Sequence, residues 1–212
     1  MKTSRNNSVR NLIIYVMLSL PFLTFISCGG TDAKSVANTP QAVDLGLSVK
    51  WAPCNIGASS PEGYGDYYSW GEVETKDEYT EENSQTYGKK FDDICGNSDY
   101  DVARAKLGGS WRMPTEEEFE ELLNECTWQW TTQEGVNGYK VTGKNGNSIF
   151  LPAAGYRYGN EYAAVGVRGF YNSSTSVKMF HKNSPNLRFD SNTHQIGSSA
   201  RYYGSPVRPV CD

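Results

Sequence analysis

The chain has 212 residues and a formal charge of −4, enough length for one domain with a substantial core. Its 24 Asp and Glu against 20 Lys and Arg argue against a general nucleic-acid binder, which draws on a positive patch. With 21 Gly, 14 Tyr, 8 Phe and 5 Trp, it favours short strands and ordered loops over a helical bundle.

Residues 1–27 read as an export signal. Lys2, Arg5 and Arg10 lead, an apolar run follows from Leu12 to Ile26, and no acid precedes Cys28. The run is shorter than the roughly 20 residues of a membrane-spanning helix, and Ser19, Pro21 and Thr24 interrupt it. The segment FISC resembles a bacterial lipobox, with Phe25 bulkier than the usual leucine. That resemblance implies cleavage before Cys28, lipidation of its thiol, and a lipidated tether over residues 28–42. Loss of the leader would take the formal charge from −4 to −7, since it holds three basic residues and no acid. The expected address is the bacterial cell envelope, with the lipid in the outer membrane. GGTDAK after Cys28 carries only Asp32 as an acid and leaves the periplasmic or surface face open.

Residues 43–212 are expected to form one domain. Val43, Leu45, Leu47 and Val49 alternate with polar or small residues, which predicts a strand, with Gly46 marking a bend. Tyr64, Tyr67, Tyr68 and Trp70 follow in a loop-rich stretch; they are expected to cover a small core, the alternative being that they line a recognition surface. The acids from Glu72 to Glu82 predict a polar loop. DYDVARAKL predicts a first helix, capped by Asp99 or Asp101 and stopped by Gly108-Gly109. In MPTEEEFEELLNEC, Thr115 is placed as an N-cap and Glu118 as its capping-box partner. Phe119, Leu122, Leu123 and Cys126 then recur at helical spacing, and the Glu run serves the cap and a solvated face.

WQWTTQ alternates Trp128 and Trp130 against Gln129 and Thr131, as a strand would. GYKVTGKNGNSIFLP predicts a hairpin turning at Asn145-Gly146 and returning from Ser148 to Leu151. YNSST, LRFD and RYYGSPVRPV predict further short strands. The expected fold class is α+β: two main helices with short, mostly antiparallel strands and long loops.

With Cys28 assigned to lipid, Cys54, Cys95, Cys126 and Cys211 remain as candidate disulfide partners in an oxidising compartment, with three pairings open. A pair between Cys126 and Cys211 would tie a helix end to the C-terminal strand. No CxxC unit points to zinc. His181 and His194 are the only histidines, and neither lies in HExxH. No P-loop, GxSxG or dinucleotide glycine motif occurs, so no catalytic residue, metal ligand or cofactor is assigned. Asp and Asn enrich the loops, which leaves a structural calcium ion open without an EF-hand order.

Taken in order, VDLGLSVKWAPCNIGA, YGDYYSWGE, GGSWRMPTEEEFEEL, GYKVTG, IFLPAAGYR, YNSST and RYYGSPVRPV resemble the Fibrobacter succinogenes major paralogous (FISUMP) domain over about Val43 to Val210. The resemblance implies an exported or lipid-anchored protein with no common activity to carry over. WRMPTEEEFEEL is also similar to a segment of formylglycine-generating-enzyme-like domains, which implies a C-type-lectin-like scaffold. The copper-binding cysteine pair of those enzymes has no counterpart here, and the EPN, QPD and WND strings of calcium-dependent lectins are absent.

The function expected is therefore binding or adhesion at the envelope, with a glycan or an envelope protein as partner. The alternatives are a structural or accessory subunit of a surface assembly and, behind it, an enzyme of unknown class. Candidate contact residues are Trp128, Trp130, Tyr156, Arg157, Tyr158, Tyr171, Asn172, Tyr202 and Tyr203, chosen for stacking and directed hydrogen bonds.

Overall fold

The two ends of the folded region pair with each other. In a computed structural model describing residues 40–212, strand β1 (Lys50–Trp51) lies antiparallel to β10 (Val210–Cys211). Between them run two helices, α1 (Val102–Leu107) and α2 (Glu116–Glu125), and three small sheets. The first sheet orders β2 (Thr127–Gln133), β3 (Val136–Thr142) and β4 (Ser148–Pro152); the second pairs β5 (Tyr156–Tyr158) with β6 (Glu161–Ala163). The third orders β7 (Gly169–Asn172), β8 (Asn183–Phe189) and β9 (His194–Ala200). All of these named ladders are antiparallel. The signal segment, the Cys28 lipidation site and the tether up to residue 39 lie outside the described residues.

The expected α+β, C-type-lectin-like architecture is corrected by this arrangement: the described residues are mostly β, with ten strands in several small sheets. The physical reason lies in helix length. α1 has six residues and α2 has ten, so neither presents a long apolar face. Gly-rich turns break the rest of the chain into strands of two to seven residues.

Local chemistry sets both helices. Asp101 Oδ1 accepts from the Ala103 and Arg104 amides, and Gly108 closes α1 at φ 67°. The same buried carboxylate accepts from Gly96 N at 2.7 Å and Met113 N at 2.9 Å, so the cap also binds two flanking loops. Thr115 and Glu118 form the reciprocal capping box of α2. Arg112 then binds Glu118 at 2.6 and 2.8 Å, tying the preceding loop to the cap.

Three other expectations resolve differently. Val43 to Val49 keeps its period-two burial, with Leu45 and Val49 buried and Asp44, Gly46 and Ser48 exposed, but it forms no ladder. Gly46 sits at φ 76° and donates to Asp44 Oδ1, so the chain folds back and Val43 bridges Trp51. RYYGSPVRPV forms a strand only at its end, because Arg201 to Gly204 turns and Tyr68 bridges Ser205. The β5–β6 hairpin and β9 arise where no strand was expected.

The largest core cluster joins the β2–β3–β4 and β7–β8–β9 sheets to α2. Phe119, Leu122, Val141, Leu151, Tyr171 and Leu187 are fully buried in it. A second cluster packs Tyr68, Trp70, Ile94, Val102 and Met113 around α1. Two buried arginines brace these layers. Arg208 has no carboxylate partner; its guanidinium donates to Asn55 Oδ1 (2.8 Å) and to the carbonyls of Ala52 (3.1 Å), Pro53 (2.8 Å) and Phe150 (2.8 Å). Arg201 stacks on Trp70 at 3.9 Å and donates to the Lys89 and Asn183 carbonyls. Burial lowers its pKa to about 10.

All four remaining thiols are free in the structure. The Cys126–Cys211 pair is not formed: Cys126 ends α2, whereas Cys211 is buried opposite Lys50 in the β1–β10 ladder.

Candidate functional site: a tyrosine face beside an acidic loop

Three segments distant in sequence are sewn together at one surface. Tyr79 and Gly159 exchange backbone bonds of 2.8 and 2.9 Å, and Arg157 and Gly204 exchange bonds of 2.7 and 3.0 Å. These bridges bring the acidic loop, the β5–β6 hairpin and the turn after β9 side by side. Tyr158, Tyr202 and Tyr203 then pack edge to face or tilted, with centroids 4.8–6.0 Å apart. Tyr156 stacks on Tyr203 at 5.1 Å. Tyr158 stands 53% exposed at the outer edge of this cluster, and Tyr162 of β6 is 59% exposed.

A groove of about 410 Å³ opens there, lined by Tyr79, Tyr158, Tyr202 and the carboxylates Glu78, Glu81 and Glu82. Asn83 shapes its acidic wall: Nδ2 donates to the Glu78 carbonyl at 2.7 Å and Oδ1 accepts from Thr80 N at 3.2 Å. Glu81 accepts from the Tyr87 hydroxyl at 3.0 Å, and Tyr87 packs edge to face on Tyr202. Burial, reinforced by neighbouring Tyr203, raises the Tyr202 pKa well above its ordinary value, so its hydroxyl stays protonated at neutral pH. The wall therefore offers hydrogen-bond acceptors beside an exposed aromatic ring.

The nine candidate residues divide. Tyr156, Tyr158, Tyr202 and Tyr203 meet on this face. Arg157 lies beneath it with a scaffold role: its guanidinium sits between the Tyr79 and Tyr162 rings and donates to the Lys76 and Asp77 carbonyls. Tyr171 and Asn172 belong to the interior, because β7 is covered on both faces there. Tyr171 donates to the Pro152 carbonyl at 2.8 Å, and Asn172 Nδ2 reaches the Tyr68 carbonyl at 3.4 Å. Trp128 and Trp130 form a separate cluster with Tyr139 and Phe189. Trp128 Nε1 donates to the Leu122 carbonyl, closing the end of α2. Both indoles are half-buried and share no ring contact with Tyr158.

His194 stacks on Trp128 at 4.8 Å, while nearby Asp190 spends its carboxylate on the Asn192 and Thr193 amides. Among the described residues no group of three or more His, Cys, Asp or Glu side chains gathers to hold a metal, and no helix is long and apolar enough to cross a membrane.

A cavity larger than the groove was not visible in the sequence. It measures about 770 Å³ and is walled by loops around Ala52–Ser59, Asp66–Tyr68, Glu74–Thr75, Lys106–Leu107 and Pro209. Lys106 pairs with Glu74 at 2.8 Å on its wall, and Tyr68 donates to Asp66 at 3.2 Å. Cys54 also lines it, but burial pushes its thiol above the ordinary value, which opposes thiolate chemistry. Gly57 on its wall takes φ 80°, and a Cβ there would lie 2.3 Å from Asp66 Oδ2.

No family model, curated protein or solved structure matches the chain.

Proposed function

We propose that this is an exported binding module of the FISUMP type, held at the bacterial envelope by lipid on Cys28, whose tyrosine face takes a carbohydrate. The observation that carries the reading is the exposed Tyr158 ring beside three carboxylates in one groove. A sugar ring has an apolar face, suited to stacking, and hydroxyls around its rim, suited to donating to carboxylates. The bridges at Tyr79–Gly159 and Arg157–Gly204 hold the two chemistries together before any ligand arrives, which limits the ordering cost of binding.

The test presents the purified full chain to a glycan panel, with titration of any sugar retained. Tyr158→Ala is expected to weaken binding about tenfold or more while leaving the unfolding midpoint nearly unchanged, since the ring is half exposed. Retention of full affinity by that variant, or no bound glycan, would remove the carbohydrate assignment. The lipid anchor is checked separately: Cys28→Ser should move the chain from membrane to soluble fractions.

A further inference from the structure

We propose that the turn at 177–182 is a second membrane contact, an apolar tip set in a basic collar that docks on anionic lipid. Met179 is 85% exposed and Phe180 68% exposed, more than any other large apolar side chain among the described residues. They project from a tight turn in which Phe180 N donates to the Val177 carbonyl and Asn183 N to the Phe180 carbonyl. Such a tip is too small for a stable protein interface, which buries about 800 Å² on each side. Its shape suits insertion at the boundary of headgroups and acyl chains.

The surrounding charge identifies the lipid. Lys178 and Lys182 flank the tip in sequence. Gly88 N donates to the His181 carbonyl at 3.0 Å, which lays Lys89 and Lys90 alongside. None of these four lysines makes an ion pair with a described residue. The nearby acids are Asp92, Asp93 and Glu81. Asp93 accepts from Ser176 N at 2.7 Å, and Glu81 accepts from Tyr87. The collar is thus net positive on a chain whose total charge is −4, so it complements a negative surface while the rest of the domain is repelled from one.

The feet of the turn are firmly held. Buried Arg201 donates to the carbonyls of Lys89 (3.0 Å) and Asn183 (3.2 Å), and its own amide donates to the Lys182 carbonyl (2.9 Å). Ser176 Oγ donates to the Phe91 carbonyl. Tip and collar are therefore displayed as one unit. The proposed contact needs neither the Tyr158 ring nor the lipid on Cys28, although Lys182 sits 5.1 Å from the centroid of Tyr87, which binds Glu81 of the groove wall.

Because the N-terminus of the full chain is itself apolar, the test reads the tip locally. Phe180→Trp and, as a second probe, Met179→Trp are mixed with vesicles of phosphatidylglycerol and phosphatidylcholine carrying brominated acyl chains. Quenching beyond that of the five native tryptophans reports insertion of the tip. Both probes should show it with anionic vesicles, and added salt should reduce it. Lys178→Gln or Lys182→Gln in the probe background should each weaken tip engagement about fivefold. The proposal is overturned if neither probe is quenched, if phosphatidylcholine alone quenches equally, or if the tip becomes protected with rising protein concentration and no lipid, which would assign it to a second copy.

Discussion

His194 lies flat on Trp128, with rings 4.8 Å apart and 8° from parallel. Burial against that indole lowers its pKa below the ordinary histidine value. A histidine depressed in this way contributes stability that is complete above its unfolded pKa and is lost as pH falls through the folded one. NMR titration of the His194 ring should therefore give a midpoint below 6.5, and Trp128→Ala should move it back upward. A midpoint that stays put in a folded Trp128→Ala chain would mean that the indole does not cause the shift. At this scale the sequence misleads in one direction: aromatic residues of the same type serve opposite ends. Tyr171 is a buried hydrogen-bond donor and Tyr158 an exposed ring, and only their neighbours distinguish them.

Helix boundaries are written within a few residues, so they are legible before any fold is known. Thr115 and Glu118 form their box in a span of four residues, and Asp101 and Gly108 bound α1. Thr115→Ala should cost about 1 kcal/mol, measured by urea unfolding, through loss of the bond to the Glu118 amide. An unchanged unfolding free energy would show that flanking contacts such as Arg112–Glu118 set this boundary without the cap. The β3–β4 hairpin was legible for the same local reason: Gly146 takes φ 85° in a five-residue connection. Val43 to Val49 was only half legible. Alternation correctly marks which residues are buried, but burial alone does not supply a neighbouring strand, and Gly46 turns the chain before one can pair.

Over the whole molecule, Arg208 joins the loop after β1, strand β4 and the approach to β10 through four acceptors, three of them buried. Burial lowers its pKa, yet removal of the guanidinium leaves those acceptors without a donor. Arg208→Met should therefore destabilise the fold by about 3 kcal/mol or more in urea or thermal unfolding, whereas a neutral effect would show that the site repacks. No pattern in SPVRPV announces this role, because the partners lie up to 156 residues away. The same holds for the groove. The sequence by itself determined the caps, the turn glycines, the pool of tyrosines and the acidic loop, since each depends on side chains and backbone a few residues apart. Tertiary structure alone decided that the fold is mostly β, and that Tyr158 meets Glu78–Glu82 while Tyr171 is buried. Those outcomes depend on bridges such as Tyr79–Gly159 and Arg157–Gly204, whose energy appears only when distant segments close on one another.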